Sequence, residues 1–525
     1  MKKKLAARLY DAVFPPKPKT SKRYRRDYAA ARVDRTNADW TVRPMTANYD
    51  LRRDLRILRA RARDAAHNNS HFKKYLSMVR SNVIGPKGIR LQCRAYMPDG
   101  KTLNADLNKQ IETAFWEWGH KENCTVSQRL DWLGMQRLIV TQLARDGEFL
   151  VQKIAANNAF GFALKAINVD YLDEFYNAEL PNGNRVIMSV EIDAFDRPVA
   201  YYLTTPSPDY LFADRKRLMR VRVDASEMIH GFLVFDDESQ VRGVTMFHAA
   251  MLDAKNLAGY KEGVITSARM AANNIGFLEK NDNDEVTFDG DTDGDNDLDD
   301  TPVINVSPLA MNILPDGMSF KEFDPKQPTQ NHPAFYKSIL MDNAAGLDVP
   351  YFDLTGDMEA VNYSSARVGL SESRDIWMAL QDFVSTMFCR EVYHAWTIAA
   401  MLNGALKITA KDFREIQNPT WRARGWQYIN PKDEVEASTT ALQNNLATLT
   451  GELAEQGIDI IDHFETIQQE RELAKKYGIE LVYVTKTTAT ETAPTDPNAD
   501  NTAADANPPA KRSLTNGHDF EHLTQ

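Results

Sequence analysis

A pair of serines, Ser364 and Ser365, stands just before Arg367 in the stretch EAVNYSSARVGLSESRDIW, residues 359–377. A catalytic serine needs a base within hydrogen-bond reach, and neither a G-x-S-x-G nor an S-x-x-K pattern occurs at these serines. His394 follows on the same predicted helix, too far along it to act as that base. A serine before a long apolar pattern is typical of a helix N-cap, because its hydroxyl accepts from an otherwise unpaired N–H group. We therefore predict that Ser364 or Ser365 caps a helix.

The acidic run DGDTDGDNDLDD, residues 289–300, is a candidate metal site. Its candidate ligands are Asp289, Asp291, Asp293, Asp295 and Asp300. The spacing matches positions 1, 3, 5 and 12 of a calcium-binding loop, with Gly294 at position 6. However, the glutamate usual at position 12 is missing, Asn296 replaces an apolar residue, and the flanks resemble strand and coil. Weak calcium ligation therefore stands beside two other interpretations, a solvated loop and a surface for a basic partner.

No other pattern predicts catalysis. The sequence contains no phosphate-binding G-x-x-x-x-G-K-[ST], no H-E-x-x-H and no G-x-G-x-x-G after a strand. The ten histidines do not cluster at metal-ligand spacing, and the three cysteines are scattered without a C-x-x-C. No apolar run approaches the ~20 residues that a membrane span needs. We therefore expect no enzyme activity, no cofactor, no disulfide framework and no membrane association.

Helices and strands alternate in blocks along the chain. From Leu51 the apolar residues step by four and three along one helical face, with arginines on the other, and a second helix ends at IGPKG. Two more helices are predicted within 103–146, the first with Ile111, Phe115 and Trp118 as its apolar face. From residue 147 the period becomes two, and six segments up to residue 235 are typical of strands.

The second half of the chain is predicted to be mainly helical. Helices at about 244–275 and 333–345 flank an irregular insert, 276–330, that contains short strands. The longest helix is predicted for Ser365–Asn403, because no Gly or Pro occurs from 370 to 403. A helical segment at 433–477 follows. The compositions of residues 1–48 and 485–525 indicate disorder.

Charge is distributed unevenly. Residues 1–63 contain 19 Lys or Arg and 6 Asp or Glu, although the whole chain has a net charge of −10. A basic head on an acidic body indicates contact with a polyanion or an acidic partner at one end, or a solvated basic arm.

Five segments together resemble the portal proteins of tailed phages, lambda family. They are RARARDAAHNNSHFKKYLSMVRSNVIGPKGIRLQ (59–92), DGEFLV (146–151), VRGVTMFHAAMLDAKNLAGYKE (241–262), LTGDMEAVNYSSARVGLSESR with FCREVYHAWTIAAMLNGAL (354–374 and 388–406), and WQYINPKDEVEA with GIDIIDHFETIQQERE (426–437 and 457–472). They occur in the family's order and cover about residues 50–475. No single segment is decisive, but the set is specific.

The resemblance implies an α+β portal fold that forms rings, with a helical stem and crown, a β-containing wing and a small α/β clip. The implied division is a basic, disordered N-terminal arm (1–49), wing (50–243), first stem helix (244–275), clip (276–330), second stem helix (331–347), channel loop (348–363), long helix and return to the wing (364–432), crown (433–478) and disordered C-terminal tail (479–525). The helix–insert–helix pattern found independently at 244–345 agrees with this division.

The resemblance also implies a ring of about twelve copies at one capsid vertex, the head–tail connector through which double-stranded DNA is packaged and ejected. Implied partners are the large terminase subunit, the major capsid or scaffold protein and head–tail joining proteins, in the virion and, during assembly, the host cytoplasm. The candidate channel residues are Tyr351, Phe352, Asp353, Asp357 and Glu359 in the loop, and Lys255, Lys261, Arg269 and Lys337 on the stem. Two alternatives stay open: another structural capsid or adaptor protein, or a metal-dependent DNA-processing enzyme with the acidic run as its only candidate site.

Overall fold

The computed structural model describes residues 46–97, 103–205, 219–273, 276–280, 318–322, 332–359, 361–408, 410–426, 431–456, 458 and 460–479. These residues belong to two compact units, which divide after Ile458. Residues 1–45 of the predicted arm, the acidic run 289–300 and residues 480–525 of the predicted tail lie outside the described residues. Disorder and metal binding there stay predictions.

Helix α1, Ala47–Asn68, confirms the first predicted amphipathic pattern, with Leu51 and Leu55 buried. The expectation that its arginines all lie on the opposite face is wrong for Arg59, whose side chain is buried. Helix α2, Ser70–Val79, begins after Asn69 and continues into a π-helical turn.

Three helices, rather than the predicted two, occupy the next segment: α3 (Ala105–Trp118), α4 (Lys121–Cys124) and α5 (Trp132–Asp146). The predicted apolar face of α3 is confirmed, because Ile111, Phe115 and Trp118 are all buried.

Two antiparallel sheets follow. Five of the six predicted strand segments each contain one strand, but the segment predicted as one strand at 185–193 is a hairpin of two, because Met188 and Ser189 turn the chain with positive φ. In chain order the strands from β1 to β9 are Arg90–Gln92, Glu148–Ala155, Phe162–Ile167, Ala178–Glu179, Arg185–Ile187, Val190–Ile192, Pro198–Thr205, Met219–Asp224 and Met228–Phe232. One sheet has the order β3-β2-β9 and the other β4-β5-β6-β7-β8. Strand β1 instead pairs with β12, Thr420–Arg422, in the later part of the chain.

Helix α6, Met251–Asn273, and helix α7, His332–Ala345, contact each other. Between them, β10 (Gly276–Lys280) pairs antiparallel with β11 (Met318–Glu322). The predicted helix–insert–helix pattern is therefore present. The predicted start of the first helix at 244 is too early. The residues before Met251 form turns, and Thr245 and Met246 donate hydrogen bonds to the Ala144 carbonyl of α5.

The segment after α7 contains a short helix, α8, Tyr351–Thr355. Helix α9, Tyr363–Val384, a π-helical turn at Ser385–Arg390, and helix α10, Glu391–Leu402, then follow without a break. The long predicted helix is therefore confirmed, with the π turn as an unpredicted irregularity.

The remaining helices are short or peripheral. They are α11 (Ala410–Glu415), α12 (Pro431–Gln443), α13 (Leu449–Glu455) and α14 (Ile460–Tyr477). The last of these belongs to the second compact unit.

The main core joins the helical base to the long helix. Phe115 of α3 lies at its centre, with ring centroids 5.0 Å from Trp396, 5.2 Å from Trp118 and 5.5 Å from Trp132. Trp118 and Trp396 are both fully buried. A second cluster of buried apolar residues packs α1 against the five-stranded sheet. Helix α1 contributes Ala62 to the main core and Leu51 and Leu55 to the second cluster, so it packs against both.

Candidate channel segment and buried ion network

The segment that connects α7 to α9 is more ordered than the predicted loop. Pro350 occupies the N-cap of α8 with extended backbone angles, and Gly356 ends the helix with a left-handed φ of 79°. The Gly356 N–H donates to the Phe352 carbonyl at 2.8 Å. The prediction of a loop over 348–363 is therefore wrong for Tyr351–Thr355, because Pro and Gly delimit a single helical turn there.

Three of the predicted channel residues meet at one carboxylate. Lys337 Nζ lies 2.9 Å from Asp357 Oδ2, and the Tyr351 hydroxyl donates to the same oxygen at 3.0 Å. The Glu359 N–H donates to Asp357 Oδ1 at 3.1 Å. The hydrogen bond from Lys337, with those from Glu359 and Tyr351, lowers the pKa of Asp357 to about 2. The carboxylate therefore stays ionised, but its charge is matched by the Lys337 ammonium.

The other loop residues occupy different environments. The Phe352 ring lies against α9, where a Cβ at Gly369 would meet Phe352 Cε1 at 3.3 Å. Asp353 is partly buried, and this burial raises its pKa, while Lys74 acts in the opposite direction. Of the three acidic residues in this segment, Asp353 is partly buried, Asp357 is paired with Lys337 and Glu359 is exposed. Their position in a channel stays a prediction.

Three of the four cations predicted for the stem are spread along α6, and the fourth, Lys337, lies on α7. Lys255, Lys261 and Arg269 are all exposed, and the first and last are about 21 Å apart along the axis at ~1.5 Å per residue. Burial lowers the pKa of His71 in α2, and the charge of Lys261 lowers it further. Their DNA-facing role stays a prediction.

The cap of the long helix is Asn362, not a serine. Asn362 Oδ1 accepts from the Ser365 N–H at 2.8 Å, and the Asn362 N–H donates to Ser365 Oγ at 3.2 Å. This reciprocal pair is a capping box, in which Ser365 occupies the third helical position. The prediction that Ser364 or Ser365 is the cap residue is wrong by two or three positions, because an asparagine caps as well as a serine. The hydroxyl of Ser365 still accepts a hydrogen bond at the start of the helix, which agrees with a capping rather than a catalytic role.

Within the described ranges, no group of three or more His, Cys, Asp or Glu side chains is placed to hold a metal ion. In the same part of the chain, none of the helices has the length and apolar content for crossing a bilayer.

The sequence analysis missed a buried ion network centred on Glu148, the first residue of β2. Glu148 Oε1 accepts from Arg59 Nη1 at 3.1 Å and from Arg242 Nη2 at 2.6 Å. Its Oε2 accepts from Arg242 Nε at 2.9 Å and from the Gly243 N–H at 3.1 Å, and lies 3.0 Å from His230 Nε2. The side chains of Glu148 and Arg242 are completely inaccessible to solvent. Burial alone would raise the pKa of Glu148, but Arg242 and His230 lower it well below its usual value.

The network extends outward through α1. Arg59 also pairs with Glu174, and Arg63 donates to Asp146 Oδ1 at 2.9 Å and to Asp170. Arg59 occupies a position four residues after Leu55 on the apolar face of α1, which is the sequence signal that could have located it. Charged residues on an apolar face are expected to be paired when they are buried.

Two glycines, each next to a residue of this network, allow the backbone at Gly147 to lie against the backbone at Gly243 and Val244. Gly147 has a φ of +88°, and a Cβ there would lie 2.3 Å from the Val244 carbonyl carbon. A Cβ at Gly243 would lie 2.1 Å from the Gly147 oxygen. Both contacts are impossible for any side chain, so glycine is required at both positions. The arrangement is a structural anchor and holds no reactive group in an accessible position.

Comparison with known proteins places the chain in a family. Residues 33–381 match the family model described as phage portal protein, lambda family. The chain is 32% identical over 465 residues to a probable portal protein of Halomonas phage phiHAP-1, covering 87% of this chain and 88% of that protein. It is 22% identical over 451 residues to portal protein B of Escherichia phage lambda, covering 79% and 83%.

A chain from the neck of an empty GTA particle is 12% identical, with a TM-score of 0.45, and the match covers 80% of this chain and 97% of that chain. Because this TM-score is low, the family assignment depends on the sequence matches. The family model covers well over half of the chain, and so does a relative above 30% identity. The protein therefore belongs to the lambda family of phage portal proteins.

Proposed function

We propose that this portal protein forms a closed ring of about twelve copies at one capsid vertex, where it is the channel for packaging and ejection of double-stranded DNA. The observation that carries the proposal is the family match over residues 33–381, supported by 32% identity over 465 residues to a probable portal protein.

The parts of the ring are assigned by chain position. We assign 50–243 to the wing, 244–275 and 331–347 to the stem, 276–330 to the clip, and 433–478 to the crown. The contact between α6 and α7 and the β10–β11 pair support a stem with a clip between its helices. Segment 348–363 then lines the channel, with exposed Glu359 towards the DNA. An exposed carboxylate repels phosphate, so that the duplex passes without firm contacts.

The partners follow from the same role. The large terminase subunit and the head–tail joining proteins dock on the ring, and the major capsid or scaffold protein surrounds it. The protein acts in the virion, after assembly in the host cytoplasm, and has no enzymatic activity of its own.

Negative-stain electron microscopy of the purified full chain tests the ring directly. We expect closed rings with a central hole, and no ATP hydrolysis or Mg²⁺-dependent DNA cleavage by the same preparation. A protein that stays monomeric at all salt concentrations would contradict the portal role and favour a different capsid or adaptor protein. Cleavage of DNA would favour the metal-dependent enzyme.

A further inference from the structure

The start of α1 is tied to the segment that follows β9. Asn48 Nδ2 donates to the Ser239 carbonyl at 2.6 Å, and the Val241 N–H donates to Asn48 Oδ1 at 3.0 Å. Thr46, the N-cap of α1, is exposed and has extended backbone angles. Residues 1–45 therefore join the described chain beside the segment that follows β9.

Residues 234–238 of that segment, here called the 234–238 loop, form an unusual surface. All five side chains are exposed, including those of Val234 (56%) and Phe235 (54%). The other three residues are Asp236, Asp237 and Glu238. The Asp237 carboxylate accepts from the Ser239 N–H at 2.8 Å, whereas those of Asp236 and Glu238 make no hydrogen bond or ion pair within the part of the chain that the structure describes. Two apolar and three acidic side chains thus stand exposed in succession.

A buried glutamine holds the 234–238 loop in this shape. Gln240 Oε1 accepts from the Phe235 N–H at 3.1 Å, and Gln240 Nε2 donates to the carbonyls of Leu233 at 3.2 Å and of Arg242 at 2.7 Å. These contacts go to backbone groups of the segment, so they do not need the exposed side chains. The loop is therefore a preformed surface, and a partner can bind it without the cost of ordering its backbone.

The chain before Thr46, here called the N-terminal segment (residues 1–45), has the composition that such a surface attracts. It contains 13 Lys or Arg but only 4 Asp or Glu, together with five aromatic residues. Its positive charge is complementary to the three carboxylates of the loop, and its aromatic rings are complementary to the two apolar side chains. Covalent attachment beside the loop also gives it a high effective concentration there. Nucleic acid is a poorer occupant, because its phosphates and the loop carboxylates repel each other.

We propose that the N-terminal segment binds the 234–238 loop of its own chain, with its cations paired to Asp236, Asp237 and Glu238 and its aromatic rings packed against Val234 and Phe235. The contact withholds these cations from other polyanions. DNA or high salt competes for the same cations and releases the segment. Because the contact needs only one chain, it does not depend on the proposed ring.

Zero-length carbodiimide cross-linking of the full-length protein tests the contact, since this reagent joins a lysine amine only to a carboxylate that it touches. We expect cross-links between lysines of the N-terminal segment and the 234–238 loop in peptides from the monomer band of a denaturing gel. Such cross-links in the dimer band alone would overturn the proposal and show that a second copy supplies the occupant. Their absence from both bands would also overturn it.

Limited trypsin digestion of the full-length protein measures how strongly the loop protects the N-terminal segment. In the loop variant Asp236→Asn/Asp237→Asn/Glu238→Gln, cleavage within residues 1–45 at low salt should be about five- to tenfold faster than in the wild type, the combined effect of losing three exposed ion pairs. High salt should remove this difference, because it screens the pairs in the wild type. Equal cleavage rates at low salt would refute the contact.

The matched control is Asp106→Asn/Glu117→Gln/Glu122→Gln, which removes three exposed carboxylates from α3 and α4 and changes the net charge by the same amount. Its N-terminal segment should be cleaved at the wild-type rate. If the control is cleaved as fast as the loop variant, overall charge rather than the loop controls the segment and the proposal fails. Absence of rings in microscopy would contradict the proposed function and leave these measurements unaffected.

Fluorescence anisotropy with a labelled DNA duplex tests whether the contact withholds the cations. The loop variant should bind the duplex about five- to tenfold more tightly than the wild type at low salt, because its N-terminal segment is free to meet the phosphates. The control variant should bind the duplex with nearly the wild-type affinity. Equal affinities of the wild type and the loop variant would refute this part of the proposal.

Discussion

Replacement of Glu148 by Gln should destabilise the protein severely, although the two side chains have nearly the same shape. Both carboxylate oxygens accept hydrogen bonds, Oε1 from two arginines and Oε2 from Arg242 and the Gly243 N–H. The amide NH₂ of a glutamine would face donors at either position, and the negative charge between Arg59 and Arg242 would be gone. The change therefore removes the negative charge and replaces one hydrogen-bond acceptor by a donor, without creating a cavity.

The magnitude follows from the partners that each arginine would keep. Arg59 keeps Glu174, whereas the hydrogen bonds that Arg242 would keep go to carbonyl oxygens, of Met188 at 3.2 Å and of Leu172 and Val169 at 3.4 Å. Removal of one partner of a fully buried ion pair costs about 3–5 kcal/mol. This range is a large part of the 5–15 kcal/mol that is typical of a folded protein's total stability.

Urea denaturation followed by tryptophan fluorescence measures the loss, with Asp196→Asn as the matched control. Asp196 pairs with Arg185 at 2.8 Å, but the two side chains are 41% and 54% exposed. The control should therefore change the free energy of unfolding by no more than about 1 kcal/mol. If Glu148→Gln is as mild as the control, the network does not anchor the fold and the reasoning fails.

Four further outcomes are expected. Because its neighbours hold the pKa of Glu148 well below 4.5, its stabilising contribution is complete above that pH and is lost as the pH falls through the folded-state pKa; acid titration of the unfolding midpoint should show a steeper loss in the wild type than in Glu148→Gln. Gly147→Ala should yield little soluble protein on expression, since its Cβ would overlap the Val244 carbonyl carbon at 2.3 Å. Glu359→Lys should leave thermal stability unchanged but reduce the length of DNA packaged per particle, whereas normal packaging would show that this residue does not face the duplex. Calorimetry of the full chain with calcium should show weak or no binding, and micromolar affinity would restore the acidic run 289–300 as a metal site.

Periodicity predicted the elements of the fold well. The step of four and three from Leu51 gave α1, the alternation after residue 147 gave the strands, and the lack of Gly and Pro from 370 to 403 gave the long helix. Boundaries were less accurate where a polar side chain decides them. Asn362 rather than a serine caps α9, because the sequence offers several capping residues in a row and only the tertiary path of the chain selects one.

The candidate site was predicted less completely than the fold. Sequence placed Lys337, Tyr351 and Asp357 in one functional group, and the structure brings them together, but as partners of each other rather than as independent channel residues. Their pairing depends on how α7 approaches the segment after it, which no local pattern reports. The ion network was missed for the same reason, since its members are about 90 residues apart in the sequence, as with Arg59 and Glu148.

The ion network gives a physical reason for part of the family resemblance. Three of the segments that carry it, 59–92, 146–151 and 241–262, contribute Arg59, Glu148 and Arg242 to one buried cluster. The same segments supply the two glycines that let their backbones meet. A buried charge needs its partner and a close backbone contact needs glycine, so these positions tolerate few other residues whatever the protein's partners are. These positions are therefore constrained by the packing of the fold, whereas the proposed contacts with DNA and with capsid proteins are to be sought on exposed residues such as Glu359.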